Sequence, residues 1–144
     1  MKFTAILLIL ISSVFAQERH KAEHKPRPVT LPMFQPGPPR VDDFFYLFIA
    51  TEDVKVPADC RGSRSVAAIA PAGAAVFQLF ANDVMFGTVE FAPGDPIPHF
   101  TCSPIELHAG DALSVITPIV GDPKLSDVAM TFILEKVSAR PTGQ

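Results

Sequence analysis

The chain has 144 residues, of which 48% are hydrophobic and 19% charged, so it can fill one core and is not a disordered tail. Its 15 prolines exclude a long-helix bundle or a coiled coil, because each proline inside a helix costs about 3 kcal/mol. The net charge of −3 excludes a protein that is held on nucleic acid by a strong basic field.

Residues 1–16 have the three-part pattern of a secretory signal peptide. Lys2 supplies the positive start, an apolar run extends from Phe3 to Phe15, and Ala16 is small enough to precede the cleavage site. The run has about 13 residues, whereas a membrane-spanning helix needs about 20. We therefore expect cleavage between Ala16 and Gln17, and a secreted or periplasmic mature protein without a membrane span.

Residues 17–40 differ in composition from the rest of the chain. Four basic and two acidic residues lie between Gln17 and Thr30, and six prolines lie between residues 26 and 39. Such a segment favours extended polyproline geometry over regular backbone hydrogen bonding. The composition predicts a basic, proline-rich linker at 17–40, a domain at 41–137 and a C-terminal tail at 138–144. A solvated linker is favoured over one that contacts an acidic surface.

Short apolar runs alternate with turn residues along the predicted domain. Turn chemistry follows each run within about a dozen residues, which is the spacing of an all-β sandwich or barrel. The predicted fold is an antiparallel, jelly-roll-like β-sandwich of about seven or eight short strands. The runs are 44–49, 54–56, 65–69, 75–80, 85–91, 99–102, 112–117 and 128–134.

Period-two alternation within these runs predicts which side chains enter the core. The runs at 77–80 and 85–91 are separated by Ala81–Val84, which contains the turn pair Asn82-Asp83, and are interpreted as one β-hairpin. The side chains predicted to point inward are Phe77, Leu79, Val89, Phe91, Leu113 and Val115.

Cys60 and Cys102 are the two cysteines of the chain. An even number of cysteines in an exported protein predicts one disulfide, and the alternative is two separate buried thiols. Neither cysteine belongs to a CxxC motif, so the sequence gives little support for a redox or zinc role.

The sequence contains no motif that assigns a catalytic residue, a metal site or a cofactor. It has no Gly-x-Ser-x-Gly segment and no glycine-rich phosphate loop. Asp95, Asp111 and Asp122 flank glycine or proline, where they are expected to form turns. The protein is predicted not to be an enzyme. The alternative is a secreted hydrolase whose site residues are scattered along the sequence.

The aromatic cluster of Phe44, Phe45, Tyr46 and Phe48 has two interpretations. These side chains could pack in the core, which is favoured, or form a platform on which sugar rings stack. The second interpretation makes a carbohydrate-binding module the alternative function.

Five stretches resemble, in sequence and in order, a small β-rich module of bacteriophage and prophage proteins associated with tails or virions. They are residues 62–67, 75–84, 87–94, 108–115 and 124–131, and the likeness covers about residues 44–134. The resemblance implies a non-catalytic structural or surface-binding module and supplies no catalytic residues. We expect an exported structural or adhesive β-sandwich. Its expected partner is a protein or glycan surface, or a second copy of the chain, and not nucleic acid.

Overall fold

The structure is a computed structural model, and it describes residues 27–137. The predicted signal peptide at 1–16 with its cleavage site, the first part of the predicted linker at 17–26, and the predicted tail at 138–144 lie outside the described residues.

Within residues 27–137, ten strands form two antiparallel sheets that pack face to face, so the predicted all-β sandwich is confirmed. The first sheet has the order β1-β10-β3-β8, with β4 also paired to β10, and the second has the order β2-β9-β5-β6-β7. The strands are β1 (Val29–Gln35), β2 (Phe44–Ile49), β3 (Val54–Val56), β4 (Arg64–Ile69), β5 (Ala75–Ala81), β6 (Val84–Phe91), β7 (His99–Cys102), β8 (Ile105–Leu107), β9 (Ala112–Ile116) and β10 (Ser126–Lys136).

The linker prediction is wrong for residues 29–35, which form strand β1 along one side of β10. Leu31 and Met33 of β1 are buried, whereas Thr30 and Pro32 are exposed. This alternation buries apolar surface on the sandwich core. Pro32 is tolerated because a strand at the edge of a sheet needs backbone hydrogen bonds on one side only.

The predicted hairpin is confirmed as β5 and β6, with pairing from Ala75↔Phe91 to Ala81↔Val84. Asn82 and Asp83 connect the strands with φ angles of 46° and 68°. A two-residue turn that matches the right-handed twist of its strands needs positive φ at both residues, and Asn and Asp adopt that conformation more readily than most.

Phenylalanine rings are the largest fully buried side chains of the core between the two sheets. Phe77, Phe91 and Phe132 are fully buried, and the ring centroids of Phe77 and Phe91 lie 5.9 Å apart. Phe100 of β7 meets Phe132 of β10 edge to face at 5.8 Å, which joins the second sheet to the first. All six side chains predicted to point inward are buried.

The predicted disulfide between Cys60 and Cys102 is present, with their Cα atoms 5.8 Å apart. Cys60 ends a 3₁₀ turn before β4, and Cys102 ends β7, so the bond crosses from one sheet to the other. Gly87 of β6 lies against β7 at this point. A Cβ atom at Gly87 would lie 2.5 Å from the Thr101 carbonyl oxygen, so the close approach of the two strands requires glycine.

Candidate functional site

Of the two interpretations of the aromatic cluster, core packing describes three of its four members, because a β-bulge divides the cluster between two faces of β2. Phe44 pairs with Ile116 and Tyr46 with Val115, which leaves Phe45 as the extra residue. Phe45, Tyr46 and Phe48 pack against the core, and the Phe45 ring meets Phe77 edge to face at 5.3 Å. Phe44 alone is mainly exposed, at 63%.

The exposed side of β2 is aliphatic in its second half. Leu47 and Ile49 are 55% and 50% exposed and point away from the core, as Phe44 does. Strand register extends this surface across the second sheet, since Leu47 pairs with Ser114, Ser114 with Phe80, and Phe80 with Met85. The outward apolar residues, here called the apolar face, are Phe44, Leu47, Ile49, Val76, Phe80, Met85 and Ile116.

Six of the seven residues of the apolar face lie on strands without a charged residue, and Met85 lies on β6, where Glu90 is exposed on the same outer side opposite Val76. β2, β9 and β5 contain no Asp, Glu, Lys or Arg, although residues 27–137 carry 13 acidic and seven basic residues, a net charge of −6. The outer side of the first sheet differs, because Arg64 of β4 and Glu135 of β10 lie on it in exposed positions. The second sheet therefore presents the outer surface that is easier to desolvate.

A shallow groove extends the apolar face beyond the end of β9. It has a volume of about 190 Å³ and is lined mainly by apolar groups. Ile119 and Val120 on its rim are exposed. The lining residues are Ala74, Val76, Gln78, Pro118, Ile119 and Val120.

A second, more polar cleft of about 450 Å³ lies beside the disulfide. Its lining includes Arg61, Arg64 and His99 together with Asp59. The guanidinium of Arg61 is 3.4 Å from the Glu135 carboxylate, and Arg64 donates to the backbone oxygen of its neighbour at 2.8 Å. Arg61 is thus paired with Glu135 on the surface, and Arg64 is hydrogen-bonded to the backbone beside it.

Two aspartates with lowered pKa values, Asp111 and Asp122, form hydrogen bonds that hold turns. The hydrogen bond from the Gly73 N–H lowers the pKa of Asp122 below 3.8, and the N–H groups of Lys124 and Leu125 add to this effect. The side chain of Asn82, followed by the His108 N–H, likewise lowers the pKa of Asp111. A carboxyl group that acts as a general acid near neutral pH needs a raised pKa. The lowered pKa values of Asp111 and Asp122 are shifted in the opposite direction.

Replacement of Asp122 by alanine is expected to lower the melting temperature at neutral pH. The folded pKa lies below 3.8, so the carboxylate contributes stability above pH 3.8 and loses that contribution as the pH falls through the folded pKa. Thermal melts from neutral pH to well below pH 3.8 should therefore show the variant and the parent converging. Glu106→Gln, which alters an exposed carboxylate on β8, is the control. If the difference in melting temperature between the variant and the parent stays constant over the whole pH range, the Asp122 carboxylate does not contribute stability through its lowered pKa.

No group of three or more His, Cys, Asp or Glu side chains that could hold a metal ion occurs within residues 27–137. In the same range, no helix is long and apolar enough to cross a membrane. Comparison with protein-family models and with curated proteins returns no match to this chain.

Proposed function

We propose that the protein is a non-catalytic structural module that assembles through the apolar face of its second sheet, and that a second copy of the chain covers this face. The observation that carries the proposal is an apolar surface on three adjacent strands, β2, β9 and β5, that contain no charged residue. Exposed apolar patches of this kind mark interaction sites in folded proteins.

The size of the apolar face fits an interface between two copies. Its exposed large side chains together present on the order of 500 Å² of apolar surface, which is the size of the largest patch on a typical monomer, about 300–600 Å², a patch that is often functional. A standard interface buries about 800 Å² on each partner, of which roughly 60% is apolar. The face therefore supplies about the apolar area that one side of such an interface needs.

The charge distribution favours a second copy as the occupant. Residues 27–137 have a net charge of −6, so two copies repel one another over most of their surfaces. Glu90 of β6 lies opposite Val76 at one margin of the apolar face, and the rest of the face carries no charge, so stacking the face on itself brings like charges together only at that margin. Sheets that pack face to face lie about 10 Å apart, which side chains of the size of Leu47 and Phe80 can fill.

A structural role is also consistent with the resemblance of residues 44–134 to phage and prophage virion-associated modules. The carbohydrate-binding alternative loses most of its proposed platform, since Phe45, Tyr46 and Phe48 pack against the core. Phe44 remains as a single exposed ring, and aliphatic neighbours such as Leu47 suit a protein surface better than a sugar.

Sedimentation velocity of the mature protein over a concentration series tests the proposal. Phe44→Lys places a charge in the apolar face and is expected to weaken self-association at least about tenfold. The matched control is Phe34→Lys on the outer side of the first sheet, where the phenylalanine is also 63% exposed. Equal weakening by both variants, or a parent protein that stays monomeric at the highest concentration reached, would contradict the proposal.

A further inference from the structure

Strand β2 has a free edge that lacks the protection found at the other sheet edges. It pairs with β9 on one side, and no strand within residues 27–137 covers its other side. The other edge strands are protected in three ways. β1 contains Pro32, and β7 and β8 are short, with four and three residues. On β4, the Ala67 N–H is already used, because it donates to the Pro96 oxygen at 2.9 Å. β2 has six residues without proline or charge, and the bulge at Phe45 is its one edge irregularity.

The hydrogen bonds at the end of β2 show which backbone groups face this free edge. The Ala50 N–H donates to the Asp111 oxygen at 2.8 Å, and the Gly110 N–H donates to the Ala50 oxygen at 2.7 Å. Backbone groups alternate in direction along an antiparallel strand, so Phe48 faces β9 as Ala50 does. Leu47 and Ile49 therefore direct their N–H and C=O groups toward the free edge.

Acidic residues bracket the free edge at both ends. Asp42 and Asp43 precede β2, and Glu52 and Asp53 follow it. Lys136 lies 2.7 Å from Glu52 and Arg40 lies 3.9 Å from Asp43, so two of the four charges have a basic partner, and Asp42 and Asp53 supply the remaining negative charge at the two ends. In antiparallel self-pairing, the acidic residues before β2 of one copy would lie near those after β2 of the other. In parallel pairing, equivalent acidic residues would meet. Both arrangements bring like charges together, which is destabilising.

We propose that the free edge of β2 accepts an extended segment of another protein whose apolar core is flanked by lysine or arginine. The segment adds a sixth strand to the second sheet through the backbone groups of Leu47 and Ile49. Basic flanks complement the acidic residues that bracket β2. Alternate side chains of the added strand lie beside those of Leu47 and Ile49, so β-branched or aromatic residues are expected there.

A synthetic peptide provides a direct probe. It has five alternating valine and threonine residues between two pairs of lysines, and its partner peptide has glutamates in place of the lysines. Fluorescence anisotropy at low salt, with the protein dilute enough to be monomeric, is expected to show saturable binding of the basic peptide and at least about tenfold weaker binding of the acidic one. Equal binding of the two peptides, or no saturable binding of the basic one, would overturn the proposal.

Two substitutions at one position separate the backbone contribution from the side chain. Leu47→Pro removes an N–H that faces the free edge, so we expect it to abolish peptide binding while the fold, monitored by circular dichroism, is retained. Leu47→Ala keeps that N–H and loses only a cross-strand side-chain contact, so it should weaken binding by less than about fivefold. Should Leu47→Pro fail to fold, Asp42→Asn tests the charge argument, with weaker binding of the basic peptide expected. Parent-like binding by a folded Leu47→Pro, or by Asp42→Asn, would refute the proposal. Self-association through the apolar face is tested separately by sedimentation.

Discussion

Replacing Phe91 by alanine is expected to lower the free energy of unfolding by about 3–5 kcal/mol. Phe91 is fully buried at the end of β6, where its ring lies 5.9 Å from Phe77. Truncation removes the transfer free energy of the ring and leaves a cavity that the neighbouring strands, fixed by their backbone ladders, fill only in part.

Urea denaturation of the parent and the variant measures this loss. The expected change corresponds to a fall of roughly 10–20 °C in melting temperature for a domain of this size. Phe44→Ala, which truncates a phenylalanine on the surface, is the control and should change the stability by less than about 1 kcal/mol. A Phe91→Ala variant that unfolds at the same urea concentration as the parent would show that this ring is not part of the core.

Loss of the disulfide is expected to lower the free energy of unfolding by about 4 kcal/mol on the chain-entropy account, because the bond closes a loop with a sequence separation of 42 residues. The backbone around it adds a local effect. Asp59 and Cys60 both have positive φ angles, 50° and 47°, a conformation that aspartate tolerates but that is unfavourable for cysteine. The disulfide stabilises the turn in this backbone conformation.

Two preparations test the disulfide prediction. The reduced parent and the double variant Cys60→Ala/Cys102→Ala should melt at similar temperatures, both well below the oxidised parent. Amide hydrogen exchange should accelerate first in the turn at residues 58–62, while the hairpin of β5 and β6 stays protected. If reduction leaves both the melting temperature and exchange in this turn unchanged, the bond does not carry the stability assigned to it.

Much of the sandwich could be predicted from local chemistry. The β5–β6 hairpin followed from alternation around Gln78 and from the turn pair Asn82-Asp83, since both signals are local. Strand β1 was missed because six prolines between residues 26 and 39 suggested a linker. The alternation of Leu31 and Met33 was a strand signal, but proline is compatible with a strand only at a sheet edge, and edge position is a property of the whole fold.

The candidate functional site could be predicted from the sequence less well than the fold. A regular strand would place Phe44, Tyr46 and Phe48 on one face, whereas the bulge at Phe45 returns Tyr46 and Phe48 to the core side and leaves Phe44 outside. Nothing in the local sequence marks that extra residue. The apolar face also depends on which strands become neighbours, since β2, β9 and β5 are distant in sequence and adjacent in the sheet.

Concentration-dependent footprinting of side chains by hydroxyl radicals tests the proposed assembly most directly. The protein is labelled at a low and a high concentration, and oxidation is measured at individual residues. The account predicts that Phe44, Leu47 and Met85 become protected at the high concentration, while Phe34 on the opposite face stays reactive. Protection of Phe34 with continued reactivity of Phe44 and Leu47, or no change at any of these residues, would contradict it.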